Sequence, residues 1–288
     1  GLHSSAAQRW AESVSMPPNF SGLSKVPDGV LEDDFVVKGY AIKTKLKTAW
    51  SNAVLNTHCD LFPGGSCATP ARLTWKVPAP FGIGNVSIDK LEVDKAGKFK
   101  LDVSSTKLHP DLKVDCRTDF SDVKKAMVGC TYAGNKRAHV RVETKAAKPQ
   151  DFKAEATFGC CRVATVGIRF SPAVLSGVCP DLGLRLIRGS WNGAIFAQNG
   201  LKEFTASCCY KATPEVKCAA KYTHGGKHSG ACDVAVCCKD LYKVKLTSDR
   251  SVLCSVRHNI AKGLTGLVGL RYKAKSGDWS YGVQLSIE

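Results

Sequence analysis

The chain has 288 residues, and its 41 Lys and Arg against 25 Asp and Glu give a formal charge of +16 and a pI near 9.3. No stretch approaches the roughly 18 consecutive apolar residues of a transmembrane helix, which excludes a helical membrane protein and leaves a β-barrel open. A charge bias of this size points to nucleic acid, an anionic surface or small anionic solutes as partners.

Residues 1–16 contain Arg9 but no apolar core, so they read not as a secretory signal but as an N-terminal extension, either appended or part of a presequence. Residues 17–40 read as a helical arm. Gly22, Pro27 and Gly29 break any long helix there, and the spacing predicts a short one over Gly29–Val37, with Val30, Leu31 and Phe35 on its apolar face.

From residue 41 onward the pattern changes to alternating runs of about 8 to 11 residues broken by turn residues. In Ala41–Ser51, Ile42, Thr44, Leu46, Thr48 and Trp50 lie on one face and Lys43, Lys45 and Lys47 on the other. A helix would scatter those lysines around its circumference; a strand puts them on one side. The same division recurs further on. Lys98 and Lys100 oppose Phe99 and Leu101, and Lys113 and Arg117 oppose Leu112, Val114 and Phe120. Arg137, Arg141 and Lys145 oppose Ala138, Val140 and Val142, while Lys217 and Lys221 oppose Val216, Cys218 and Tyr222. Lys243 and Lys245 oppose Tyr242, Val244 and Leu246, and Arg271 and Lys273 oppose Val268, Leu270 and Tyr272. Turn clusters separate the runs, among them Pro63-Gly64-Gly65, Ala133-Gly134-Asn135, Gly225-Gly226 and Ser276-Gly277-Asp278. Val77–Asn85, with Pro78 and Pro80, and Ser171–Pro180 give no firm register.

These runs amount to roughly 17 to 20 strands joined by hairpins, in one all-β domain over residues 41–288. So many strands must close or be covered, because open edges invite aggregation. Two soluble sandwiches would turn the charges outward. A transmembrane barrel turns them into a water-filled lumen and gives the apolar face to lipid. Several lysines or arginines per strand, repeated over most of the chain, favour the barrel.

Fourteen cysteines are spaced irregularly and contain no Cys-x-x-Cys, so they read as reduced, structural residues and not as a disulfide or zinc framework. The adjacent pairs Cys160-Cys161, Cys208-Cys209 and Cys237-Cys238 would point to opposite faces of a strand. His224 and His228 read as a solvated pair in a Gly-rich turn. Gly64-Gly65 and Gly82-x-Gly84 lack the rest of a phosphate loop. No metal, cofactor or catalytic group is expected, and the reading is not that of an enzyme.

Three segments resemble the mitochondrial porins, the voltage-dependent anion channel family. Pro17-Pro18-Asn19-Phe20-Ser21-Gly22-Leu23-Ser24-Lys25 is similar to the family's opening. Asp34-Phe35-Val36-Val37-Lys38-Gly39-Tyr40 looks like its helix ending in Lys-Gly-Tyr before a Lys-rich first strand. Asp278–Glu288 is similar to the mitochondrial barrel-insertion signal, carried here by Ser280, Gly282, Leu285 and Ile287. That last strand also reads directly: Trp279, Tyr281, Val283, Leu285 and Ile287 form an apolar face with aromatics at one end, as at a membrane interface.

The resemblance implies a transmembrane antiparallel β-barrel of about 19 strands, with the arm inside the pore. It places the protein in the mitochondrial outer membrane as a diffusion channel for small anionic metabolites such as nucleotides. Lys25, Asp28 and Lys38 are then candidate metabolite contacts, and the cations of the alternating runs are candidate pore-lining residues. Membrane lipid, the barrel-assembly machinery and a homo-oligomer or larger membrane complex are the implied partners. Alternatives are a barrel of the protein-import type, which the basic lumen disfavours, and a structural subunit of a membrane assembly. A nucleic-acid-binding β protein would need aromatics among its basic residues, but Phe99, Tyr242, Tyr272 and Trp279 lie on the opposite face.

Overall fold

The structure, a computed structural model, describes residues 17–47, 54–61, 72–78, 80, 86–93, 97–135, 137–171 and 179–288. The expected extension 1–16, Thr48 and Trp50, the Pro63-Gly64-Gly65 turn, Gly82-x-Gly84 and most of Ser171–Pro180 lie outside them. No helix among these residues is long and apolar enough to cross a membrane.

Among the described residues nineteen strands follow the arm. They are β1 (Gly39–Lys47), β2 (Val54–Leu61), β3 (Arg72–Pro78), β4 (Val86–Val93), β5 (Phe99–His109), β6 (Leu112–Asp119) and β7 (Met127–Asn135). Next come β8 (Ala138–Lys145), β9 (Lys148–Gly159), β10 (Ala164–Phe170), β11 (Asp181–Arg188), β12 (Trp191–Gln198) and β13 (Glu203–Lys211). The last are β14 (Val216–Gly225), β15 (Ala231–Cys238), β16 (Tyr242–Thr247), β17 (Ser251–Ala261), β18 (Leu264–Lys273) and β19 (Asp278–Ile287).

Each strand pairs antiparallel with its sequence neighbours, and β1 closes the sheet by pairing parallel with β19, from Gly39 opposite Gly282 to Thr44 opposite Ile287. An odd number of up-and-down strands requires this, because the first and last then run the same way. The ladder shifts register between Ile88 and Lys90, a β-bulge in β4.

The arm begins with a 3-10 turn, Phe20–Ser24, capped by the Asn19 side chain, which accepts from the Gly22 amide at 2.9 Å. It continues directly into α1 (Lys25–Leu31). This corrects the expected helix over Gly29–Val37. Pro27 is the third residue of α1, where its missing N–H costs nothing and its fixed φ suits the first turn. The helix stops at Glu32, and Asp34 adopts a positive φ of 67° that turns the chain toward β1. Lys38-Gly39-Tyr40 therefore opens the first strand and does not end a helix.

Two apolar clusters fix the arm. Phe20 and Leu23 sit with Ala194 and Phe196 of β12, and Val30 and Leu31 sit with Cys209, Ala219, Ala235 and Cys237 of β13 to β15. Phe20, Leu23 and Leu31 are at most 1% exposed, so the tightest core is the one between arm and wall. Phe20 meets Phe196 edge to face at 5.4 Å and carries the Arg169 guanidinium over its ring at 4.8 Å. Gly167 and Gly183 leave the space that Phe20 and Leu23 fill; a Cβ on either would fall within 3 Å of Leu23.

Candidate functional site: the charged inner wall

Residues opposite one another on a ladder share a face. The arm contacts mark the inner face at Thr157, Gly167, Gly183 and Phe196, and the registers carry that assignment around the barrel. Gly282 and Gly269 belong to it as well, because the Val36 backbone lies against both. Gly39 and Ala41 follow from their register with β19.

The outer face is apolar and exposed. Ile42, Val140, Val142, Val166, Ile195, Val234, Val236, Val244 and Val268 lie on it. Aromatics gather at its two ends. Tyr40, Phe99, Phe204, Tyr272, Trp279 and Tyr281 lie toward the end where β1 starts, and Tyr132, Phe158, Trp191, Tyr210 and Tyr242 lie toward the other. Trp279 stacks on Tyr272 at 4.5 Å and Trp191 on Tyr210 at 4.6 Å. An apolar band between two aromatic girdles on strands of 6 to 12 residues is the exterior of a membrane-spanning barrel. The backbone is satisfied by closure, as lipid requires.

The cations singled out in the sequence fall on the inner face or at its rims. Lys43, Lys45 and Lys47 follow Ala41 on β1; Lys100, Lys113, Arg117, Arg141 and Lys145 line β5, β6 and β8; Lys98 and Arg137 stand one residue outside their strands. Lys217, Lys221, Lys243, Lys245, Arg271 and Lys273 complete the set on β14, β16 and β18.

The wall is not the uniform basic field expected from the alternation. Most of these cations lie against a carboxylate, on the same strand, a strand one or two away, or an adjoining turn. Arg141 holds Asp115 at 2.9 Å and Glu143 at 3.2 Å, and Arg117 approaches Asp115 at 3.4 Å. Lys113 meets Asp89 at 2.8 Å, Lys100 meets Glu92 at 3.7 Å, and Lys145 meets Asp151 at 2.9 Å. Lys217 pairs with Asp240, Lys245 with Asp233 and Arg271 with Asp249, all within 2.8 Å. Among the described residues Lys43, Lys47 and Lys273 make no ion pair, and Lys45 reaches only the exposed Glu288 at 3.5 Å.

The arm adds its own carboxylates. Lys221 pairs with Glu32 at 2.7 Å and approaches Asp28 at 3.6 Å, and Lys243 pairs with Asp34 at 2.9 Å. Asp28 also accepts from the Ser24 hydroxyl at 2.5 Å. Lys25 and Lys38 are exposed on the arm. Of the C-terminal residues singled out, Gly282 and Ser280 face inward, while Leu285 and Ile287 face outward.

Other inner-face cations were not legible from the alternation. Lys76 lies just before Pro78, Lys90 follows the β4 bulge, and Arg169 sits in a short, largely apolar run where it bonds Asp181 at 2.6 Å. Lys153 and Arg185 share the inner face with them.

At the turns outside the strands, carboxyls are shifted by their partners. The Thr247 hydroxyl, the Ser251 amide and hydroxyl and Arg271 hold Asp249 down at about 2. The Lys217 ammonium holds Asp240 below the usual carboxylate range. Cysteines divide between the faces: Cys209 and Cys237 are buried under α1, while Cys208 and Cys238 face outward. Cys160-Cys161 lies in the β9–β10 turn and not in a strand, so the opposite-face expectation fails for that pair.

No protein-family model matches this chain, and no curated protein matches it. Among solved structures the chain is similar to a mutant of Rh. blastica porin, at a TM-score of 0.43 and 9% identity, over 73% of this chain and 94% of that one.

Proposed function

We propose that this protein is a diffusion channel of the mitochondrial porin type, passing small anionic metabolites across the mitochondrial outer membrane. The observation that carries this reading is the division of one closed wall into a charged inner face and an apolar outer face with two aromatic girdles. Membrane lipid meets the outer face, and phosphorylated metabolites such as nucleotides meet the inner one. Delivery to the membrane falls to the barrel-assembly machinery through Ser280, Gly282, Leu285 and Ile287, and association with further copies or a larger complex uses the outer face.

Selection is electrostatic. Lumenal cations lower the energy of an anion and raise that of a cation, and each acts over about 8 Å at physiological salt. Because most of the wall is charge-paired, the anion preference is modest and rests on Lys43, Lys45, Lys47 and Lys273, with Lys25, Asp28 and Lys38 as the metabolite contacts of the arm.

The reversal potential across a planar bilayer under a salt gradient tests this. An anion-selective reversal that moves toward zero or inverts when Lys43, Lys45 and Lys47 become Glu supports it. A cation-selective wild type points to a protein-import barrel, and inserted protein that does not conduct points to a structural barrel.

A further inference from the structure

The arm occupies one side of the lumen, against β9 to β15 and the seam glycines. Across from α1, where β1 to β4 meet the end of β19, the inner wall holds a recess of about 360 Å³. Lys43, Lys45, Lys90, Thr74 and Ser286 line it together with the carboxylates Glu92 and Glu288. The registers explain the grouping. Lys45, Asn56, Thr74 and Glu92 form one row across four strands, and Lys43 stands opposite Ser286. One step toward the rim, Lys47 and Lys76 flank Val54 in the next row.

Among the described residues, cations without an ion pair, scattered singly elsewhere on the wall at Lys153, Arg185 and Lys273, lie side by side here. Lys43, Lys47 and Lys76 have no ion pair among the described residues. Lys45 holds only Glu288, whose side chain is 66% exposed and lies 3.5 Å away, a contact that surface screening makes weak. Glu92 is buried and divided between Lys90 and Lys100. Three ammoniums, Lys43, Lys45 and Lys90, therefore stand in the recess with two carboxylates, Glu92 and Glu288, and Lys47 and Lys76 add two more positive charges one row away. The recess also supplies amide and hydroxyl donors, and its volume falls in the range of small-ligand sites.

We infer that this recess is a binding site for the polyphosphate group of phosphorylated solutes, separate from the arm; the inference rests on the pore reading above. A single negative charge would exchange with Glu288 on Lys45 and gain little. A di- or triphosphate engages Lys43, Lys45 and Lys90 together, takes hydroxyl donation from Thr74 and Ser286, and leaves Glu92 with Lys100.

Inorganic pyrophosphate is the probe, because it carries the charge without a base or sugar. Its binding to the full chain in detergent is measured by phosphorus NMR line broadening, which reads the site whether or not the barrel conducts. Lys43→Gln, Lys45→Gln and Lys90→Gln each weaken binding by roughly tenfold. Charge-matched controls, Lys124→Gln, Lys262→Gln and Lys275→Gln made singly in turns outside the lumen, leave it within twofold. No binding by the wild type, or equal loss in the controls, overturns the site. Potassium chloride conductance of the same protein is recorded separately: its absence with binding intact overturns the pore reading and leaves the site standing.

Discussion

Lys243 of β16 and Asp34 of the arm meet at 2.9 Å, and the same ammonium donates to the carbonyl oxygens of Gly29 at 2.9 Å and Asp33 at 3.3 Å. One wall cation thus holds both the end of α1 and the turn that follows it. Lys243 is 7% exposed, so its charge depends on those three partners. Replacing it by Met leaves Asp34 and two carbonyls without their donor and weakens arm docking by roughly 2 kcal/mol. Amide hydrogen exchange over residues 25–34 then speeds up while the strands keep their protection.

Gly269 and Gly282 form the other seat. A Cβ on Gly269 overlaps the Val36 carbonyl, and one on Gly282 comes within 2.8 Å of Val36. Backbone cannot yield as a flexible side chain does, so Gly269→Ala and Gly282→Ala displace the arm near β1. Gly193→Ala, on the outer face with 3.6 Å of clearance, is the silent comparison. Amide hydrogen exchange over residues 34–40 reads the difference, faster in the two seam variants and unchanged in Gly193→Ala.

Phe20 anchors the start of the arm. Phe20→Ala removes the edge-to-face contact with Phe196 and the stacking of Arg169, and costs about 3 kcal/mol. Phe196→Ala removes the same contact from the wall. The double variant therefore loses less than the sum, as a double-mutant cycle by denaturant unfolding will measure.

Asp249 makes stability depend on pH at the acid end. Its folded value of about 2 lies below the ordinary 3.8, so its contribution is fully present above pH 3.8 and disappears as the pH falls through 2. The carboxyl is half exposed, and screening reduces the contribution to about 1 kcal/mol. Thr247→Val removes the leading hydrogen bond and moves the loss to higher pH. Carboxyl NMR titration of Asp249 in both proteins checks the shift.

The faces of the wall were legible in the sequence wherever strands run long and unbroken. Asp111–Phe120 and Arg137–Lys145 place Arg117 and Arg141 on the inner face by alternation alone, because a two-residue period survives any register. Their neutralisation by Asp115 was not legible. Asp115 sits on the same strand face as Arg117, but its contact with Arg141 crosses two strands and depends on the β6–β7 and β7–β8 registers together. The arm helix was displaced from its expected place because Pro27 breaks a helix in its middle but starts one in its first turn. Gly282, marked out in the sequence as part of a C-terminal signal, has a second constraint in the close approach of Val36, which only the folded chain reveals.

The parallel pairing of β1 with β19 has a consequence for assembly. Every other ladder joins neighbours in sequence and can form as its hairpin emerges, whereas this one joins the two ends of the wall. Its slanted hydrogen bonds are somewhat weaker per residue than those of the antiparallel pairs, and bringing such distant segments together carries the largest loop-closure cost in the molecule. The cylinder is therefore sealed last and along its least secure line, so thermal or mechanical opening begins as an unzipping between Gly39 and Thr44.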